Sequence, residues 1–184
     1  MTMIRILIVV ALQSAALAYM IADRQAMLNA GRVVTLKVVP VDPRDIFRGD
    51  YVILSYDISR LEPAKLQGDD KFDYGDIVYV TLVREGDVWN AAAVAKDKPV
   101  ALQGGVPLRG TVQSVETAEG GATTSLSLSY GIESYFVPEG TGRALEDERQ
   151  KGSLSIDVAV DAQGRGAIKA LRRGGQVFYV EGVF

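Results

Sequence analysis

Two residue types are missing from this chain: its 184 residues include no histidine and no cysteine. Their absence removes every Ser-His-Asp and Cys-His arrangement, most zinc sites, thiol redox chemistry and haem ligation. Acid–base work would fall to carboxylates, lysine or tyrosine. Without cysteine, no disulfide can report the compartment, and oxidising and reducing surroundings fit equally well. Clustered basic charge is missing too. The formal net charge is −3, and Arg172-Arg173, beside a turn at Gly174-Gly175, is the one adjacent basic pair. Nucleic acid demands a basic face, so no nucleic-acid partner is expected.

What the chain does have begins at its N-terminus. Ile4 to Ile21 is apolar apart from Arg5 and the pair Gln13-Ser14. As a helix, these roughly 18 residues span about 27 Å, close to a hydrocarbon core. The helical pattern continues through Asp23, Arg24 and Leu28 to a stop at Gly31. A cleaved signal peptide is the competing reading, since Ala16-Leu17-Ala18 fits a small-residue cleavage site. The apolar run continues through Tyr19-Met20-Ile21-Ala22, which favours an uncleaved anchor over residues 1–31. Flanking charges, with Arg5 on one side and Arg24, Arg32 and Lys37 on the other, tilt slightly towards a cytoplasmic domain. Long domains cross largely regardless of such counts, and the domain is taken as extracytoplasmic.

Residues 32–184 read as a single β-rich domain, since no Pro- or Ser-rich linker divides them and roughly 150 residues suffice for one core. Strands are expected over Val33–Val41, Tyr51–Ile58, Ile77–Arg84, Val88–Ala95, Leu108–Val115, Thr123–Tyr130, Leu154–Val160, Ala167–Leu171 and Val177–Val180. Turns fall at Glu85-Gly86-Asp87, Glu119-Gly120-Gly121 and Asp161-Ala162-Gln163-Gly164. Short helices are expected over Ser59–Leu66, interrupted near Pro63, and over Gly140–Lys151. This spacing predicts a mostly-β fold, a sandwich or partly open barrel, behind the N-terminal helix.

The most distinctive stretch is Pro43-Arg44-Asp45-Ile46-Phe47-Arg48-Gly49-Asp50-Tyr51-Val52-Ile53-Leu54-Ser55-Tyr56. Gly49-Asp50 is a turn that launches a strand: Gly supplies backbone angles closed to other residues, and Asp can accept from the turn amides. In the strand, Val52, Leu54 and Tyr56 share one face, and Tyr51, Ile53 and Ser55 the other. The bland reading is that Asp45 and Asp50 cap turns while Arg44 and Arg48 pair with them. The alternative is a rigid loop that presents all four charges to a partner. Tyr74-Gly75-Asp76-Ile77-Val78-Tyr79-Val80 echoes the same turn chemistry.

From Gly49 the stretch reads G-D-Y-x-x-L-x-Y and resembles the GDYxxLxY family of bacterial membrane-anchored proteins, for which no activity is established. Tyr130-Gly131-Ile132-Glu133-Ser134-Tyr135-Phe136-Val137-Pro138-Glu139-Gly140 looks like that family's second recurring segment, and Gly164-Arg165-Gly166-Ala167 fits its C-terminal part. The resemblance implies an N-terminally anchored domain, commonly associated with a multi-pass membrane protein, and implies no catalytic residues.

Three catalytic or metal-binding arrangements compete. A Ser-Lys dyad could draw on Ser55, Ser59, Ser134, Lys37 and Lys65, but their spacing singles out no nucleophile. Asp69, Asp70, Asp73 and Asp76 could gather round a cation, yet they lack the alternating order of a calcium loop, and a solvated turn is preferred. Glu133 and Glu139 with Tyr135 and Phe136 resemble a sugar site, which would need two carboxyls facing across a cleft. The expected function is therefore a non-catalytic accessory or binding domain of the bacterial inner membrane, without cofactor or metal; an envelope hydrolase is the rival. The expected interaction surface is Arg44, Asp45, Arg48, Gly49, Asp50, Tyr51 and Tyr56, with Glu133, Tyr135, Phe136 and Glu139.

Overall fold

With no glycine or proline between Thr2 and Ala30, nothing interrupts the N-terminal helix, and α1 runs Thr2–Ala30. It ends where Gly31 donates its N–H to Met27 O at 3.1 Å. The computed structural model describes residues 2–39, 51–97, 99–119, 121–136 and 153–180. Among the described residues thirteen strands follow α1: β1 Arg32–Val39, β2 Tyr51–Ile53, β3 Ser55–Tyr56, β4 Arg60–Leu61, β5 Gln67–Gly68, β6 Ile77–Glu85, β7 Val88–Ala95, β8 Val106–Thr117, β9 Thr123–Ser129, β10 Ser134–Phe136, β11 Leu154–Val160, β12 Gly166–Arg173 and β13 Gln176–Val180.

They form a five-stranded sheet, β13-β12-β11-β1-β3, a six-stranded sheet, β4-β9-β8-β6-β7-β5, and the small pair β10-β2. The two large sheets share one core. Val34, Leu36 and Val38 of β1 and Ile156 and Val158 of β11 meet Val80 and Leu82 of β6, Leu108 of β8 and Leu126 of β9, all at 0–1% exposure. β1 shows why its residues sit as they do: Val34, Leu36 and Val38 are buried while Val33 and Lys37 are exposed, the period-2 alternation of a sheet with one dry face.

Hairpins form where glycine provides a left-handed backbone. Gly86 has φ +63 between β6 and β7, and Gly174 and Gly175 have φ +53 and +84 between β12 and β13. Several strands carry an extra residue, β12 and β8 among them. Ile168 and Leu171 of β12 are both buried although three apart, and β12 shifts register against β11 between Asp157 and Val158 to allow it. A similar shift lies between Val112 and Ser114 of β8.

The mostly-β fold and single apolar N-terminal helix agree with the sequence reading; the helix expected over Ser59–Leu66 does not form. In its place are two single 3₁₀ turns, Asp57–Ser59 and Pro63–Lys65, separated by β4. Pro63 has no N–H to donate, and Leu61 is buried as a strand residue, paired opposite Leu126. The strand expected over Tyr51–Ile58 is broken at Leu54. Residues 140–151, the second expected helix, lie outside the described residues, as do Val41 and Pro40 at the end of the first expected strand.

α1 is fixed to the domain at its foot. Met27 and Leu28 are buried against Ala159 of β11 and Ala167 of β12. A Cβ on Gly31 would lie 2.8 Å from Met27 O and 3.0 Å from Val160 N, so the helix leaves the sheet with no room for a side chain there.

Candidate functional site

The two segments that stand out in the sequence meet in space. β2 and β10 are antiparallel partners, with Ser134 opposite Ile53, Tyr135 opposite Val52 and Phe136 opposite Tyr51. At the break in the first segment, the Leu54 N–H donates to Glu133 O at 2.7 Å. Beyond it, the two chains exchange tyrosine hydroxyls. Tyr56 OH donates to Ile132 O, and Tyr130 OH donates to Ile58 O at 2.6 Å. Each tyrosine also has its amide held three residues on: Tyr56 N–H by Ser59 Oγ at 3.0 Å, and Tyr130 N–H by the Glu133 carboxylate. Burial pushes both phenols well above the ordinary tyrosine value, and the neighbouring Glu133 adds to the shift.

Beside this cross-tie, at the seam between the two large sheets, lies a cavity of about 480 Å³. Tyr130 lines it, and Gly110 packs against that ring so closely that a Cβ would sit 3.0 Å from it. Thr111, Ser129 and Gly131 line it too, as do Met27 at the foot of α1, Arg109 and Arg165. The seam is stitched where Arg109 N–H donates to Gly164 O at 2.7 Å; Gly164 has φ +80, and a Cβ there would lie 3.2 Å from Arg109 N and Pro107 O. Arg165 is held from behind. Both its terminal nitrogens reach Asp23 of α1 at 3.0 Å, and its Nε reaches Asp161 at 2.6 Å. Asp161 in turn accepts the Gln163 and Arg165 amides that close the β11–β12 turn.

The sequence-derived site residues divide three ways. Arg44, Asp45, Arg48, Gly49, Asp50 and Glu139 lie outside the described residues. Tyr51, Tyr135 and Phe136 are placed by strand register on β2 and β10. Tyr56 is 1% exposed and works from within the core, while half-buried Glu133 braces the Tyr130 turn. The turn chemistry expected of Gly-Asp is visible in its echo, where Gly75 has φ +85 and Asp76 accepts the Asp73 N–H at 2.9 Å.

The acidic run has a cation of its own chain in its midst. Lys96 Nζ lies 2.8 Å from Asp76 and 3.9 Å from Asp73, and its backbone N–H donates to Asp69. Hydrogen bonding to Lys96 holds Asp76 below the usual carboxylate range, and Asp76 raises Lys96. Among the serines and lysines, Ser59 is occupied by the Tyr56 amide, Lys65 pairs with Glu62 at 2.7 Å, and Lys37 is exposed.

The family model described as GDYXXLXY protein matches residues 13–171, a span holding both segments, the cavity and most of α1. The chain belongs to the GDYXXLXY family. No curated protein and no solved structure matches it. Within the matched span, Arg109, Met27 and Asp23 escaped the sequence reading because nothing local marks them. Arg165 did leave a signal, since a lone charge between Gly164 and Gly166 suggests close backbone approach on both sides.

Proposed function

We propose that this chain is a membrane-anchored, non-catalytic accessory domain that binds a multi-pass membrane protein, on the extracytoplasmic side of a bacterial inner membrane. The observation that carries the reading is the helix. α1 is long and apolar enough to cross a membrane, and its most apolar window is 0% buried. Side chains such as Ile4, Leu7, Leu12 and Leu17 are more than half exposed. A helix that served a soluble core would hide one stripe, whereas this one leaves its apolar surface for lipid or for neighbouring helices. Its foot is locked to β11 and β12 rather than joined by a slack linker, which keeps the domain at the membrane and suits a partner resident there.

The interaction surface in this reading is the Arg44–Tyr56 segment with Tyr130–Gly140, whose strands β2 and β10 lie side by side. Co-purification of tagged full-length protein in mild detergent tests it. A stoichiometric multi-pass partner should be recovered, and its yield should fall several-fold with Asp50→Ala and with Tyr135→Ala. Full capture by both variants would remove the surface assignment, and recovery of the chain alone would remove the accessory role. The rival hydrolase reading is disfavoured by the engagement of Ser59 with a backbone amide and by the exposure of Lys37 and Lys65, since a nucleophile-activating lysine must be desolvated.

A further inference from the structure

The cavity at the foot of α1 has a depth, a charge and a shape that together select a ligand class. Its depth follows from the helix. About 20 residues cover a hydrocarbon core of roughly 30 Å, so the apolar run from Met3 to Ala22 fills it. Asp23 then marks the boundary, and Met27 lies about 6 Å further out at 1.5 Å per residue. The headgroup layer is about 5–8 Å thick on each side. The part of the cavity lined by Met27 is therefore level with the headgroups.

The charge is local and runs against the whole-chain net charge of −3. Two guanidinium groups line the cavity, and no carboxylate does so among the described residues. Their situations differ. Arg165 has its Nε and both terminal nitrogens engaged by Asp161 and Asp23, so it is held in place and largely neutralised. Arg109 is exposed, and among the described residues its side chain has no acceptor. A planar guanidinium whose donors no described residue engages matches a phosphate in two-point geometry. The hydroxyls of Thr111 and Ser129 add donors along the same wall, and at Gly131 the space a side chain would occupy is open. At about 480 Å³ the cavity is of ligand size.

We propose that this cavity binds the phosphate of an anionic phospholipid headgroup, with Arg109 as the main contact. The proposal rests on the reading of α1 as a membrane helix. It gives the domain a lipid-dependent seat, orienting the β2–β10 face relative to the membrane plane.

The test uses full-length protein in nanodiscs of phosphatidylcholine with and without phosphatidylglycerol, read by amide hydrogen exchange over residues 107–113 and 129–131. Phosphatidylglycerol should slow exchange there several-fold. Arg109→Gln, a surface substitution that leaves the Arg109–Gly164 backbone bond intact, should abolish the difference, and Arg84→Gln should not. Equal exchange in the two nanodiscs would overturn the proposal, as would a full lipid effect in Arg109→Gln. Inorganic phosphate giving the same protection in phosphatidylcholine alone would overturn the lipid as the source. Failure of the protein to enter nanodiscs at all would overturn the anchor reading as well, which separates the two failures.

Discussion

The tyrosine cross-tie and the foot of α1 each fasten distant parts of the chain together, with contrasting chemistry. In the first, two neutral hydroxyls, both buried, donate to backbone carbonyls across the β2–β10 region. In the second, an aspartate and an arginine meet at side-chain exposures of 36% and 43%, over a small apolar contact of Met27 and Leu28 on two alanines. Buried neutral hydrogen bonds resist salt and most of the pH scale, and leaving their acceptors unpaired is costly. Exposed ion pairs are screened and contribute little to stability, but they set orientation. The contrast implies that the cross-tie holds the fold, while the helix foot sets an angle.

The strongest way to break this contrast is Tyr56→Phe combined with Tyr130→Phe. Each should cost about 1–3 kcal/mol, because Ile132 O and Ile58 O lose a buried donor. At about 2–4 °C per kcal/mol, thermal unfolding of the full-length protein in detergent, followed by near-ultraviolet circular dichroism, should drop clearly. A double variant that melts with the parent would show that the cross-tie does not hold the fold.

Gly31→Ala probes the other region at its tightest point. The added carbon would meet backbone on both sides, at Met27 O and Val160 N. About 1–3 kcal/mol of overpacking is expected, confined to the junction. Exchange should quicken for residues 27–34 and 158–160, while residues 123–130 stay protected; acceleration throughout would erase the distinction between the regions.

Alkali should separate them further. A phenol whose folded pKa is raised favours the folded state fully below the ordinary value of 10.0, and that contribution is lost as pH rises beyond it. Stability should therefore be flat from neutrality to about pH 10 and fall above it. In absorbance titration, at least Tyr56 and Tyr130 should ionise only with unfolding. Ionisation of both in the folded protein near pH 10 would contradict their burial.

The smallest effect belongs to Asp23→Asn. The melting temperature should hardly move, but a spin label at Gln25 should become more mobile, and high salt should produce the same mobility in the parent. Unchanged mobility would leave the apolar contact as the whole of the junction.

The sequence disclosed elements whose signals are local. β7 over Val88–Ala95 and β11 over Leu154–Val160 end where alternation and turn residues place them, and the N-terminal helix ends at Ala30, just before the expected stop at Gly31. β10 was unreadable because three residues carry no periodicity and their partner lies on β2, far away in sequence. The failed helix over Ser59–Leu66 has the same cause: the pairing of Leu61 with Leu126 overrides a weak local preference. Of the site, Tyr56 and the segment that begins at Tyr130 stood out in the sequence, but not the exchange of hydroxyl bonds between the two tyrosines. The cavity was not legible either, since it is assembled from β8, β9, the β11–β12 turn and α1.

The pairing of β1 also fixes an order of events during synthesis. β1 follows the helix directly, yet its main neighbour is β11, with Arg32 opposite Val160. A ribosome delivers the N-terminus first, so β1 emerges with an open edge and must wait for most of the chain before that edge is covered. Closing so long a loop is slow. Throughout that interval the nascent β1 carries an unsatisfied ladder of backbone groups next to the helix, and this is the stage at which truncated or stalled chains would be most prone to aggregate.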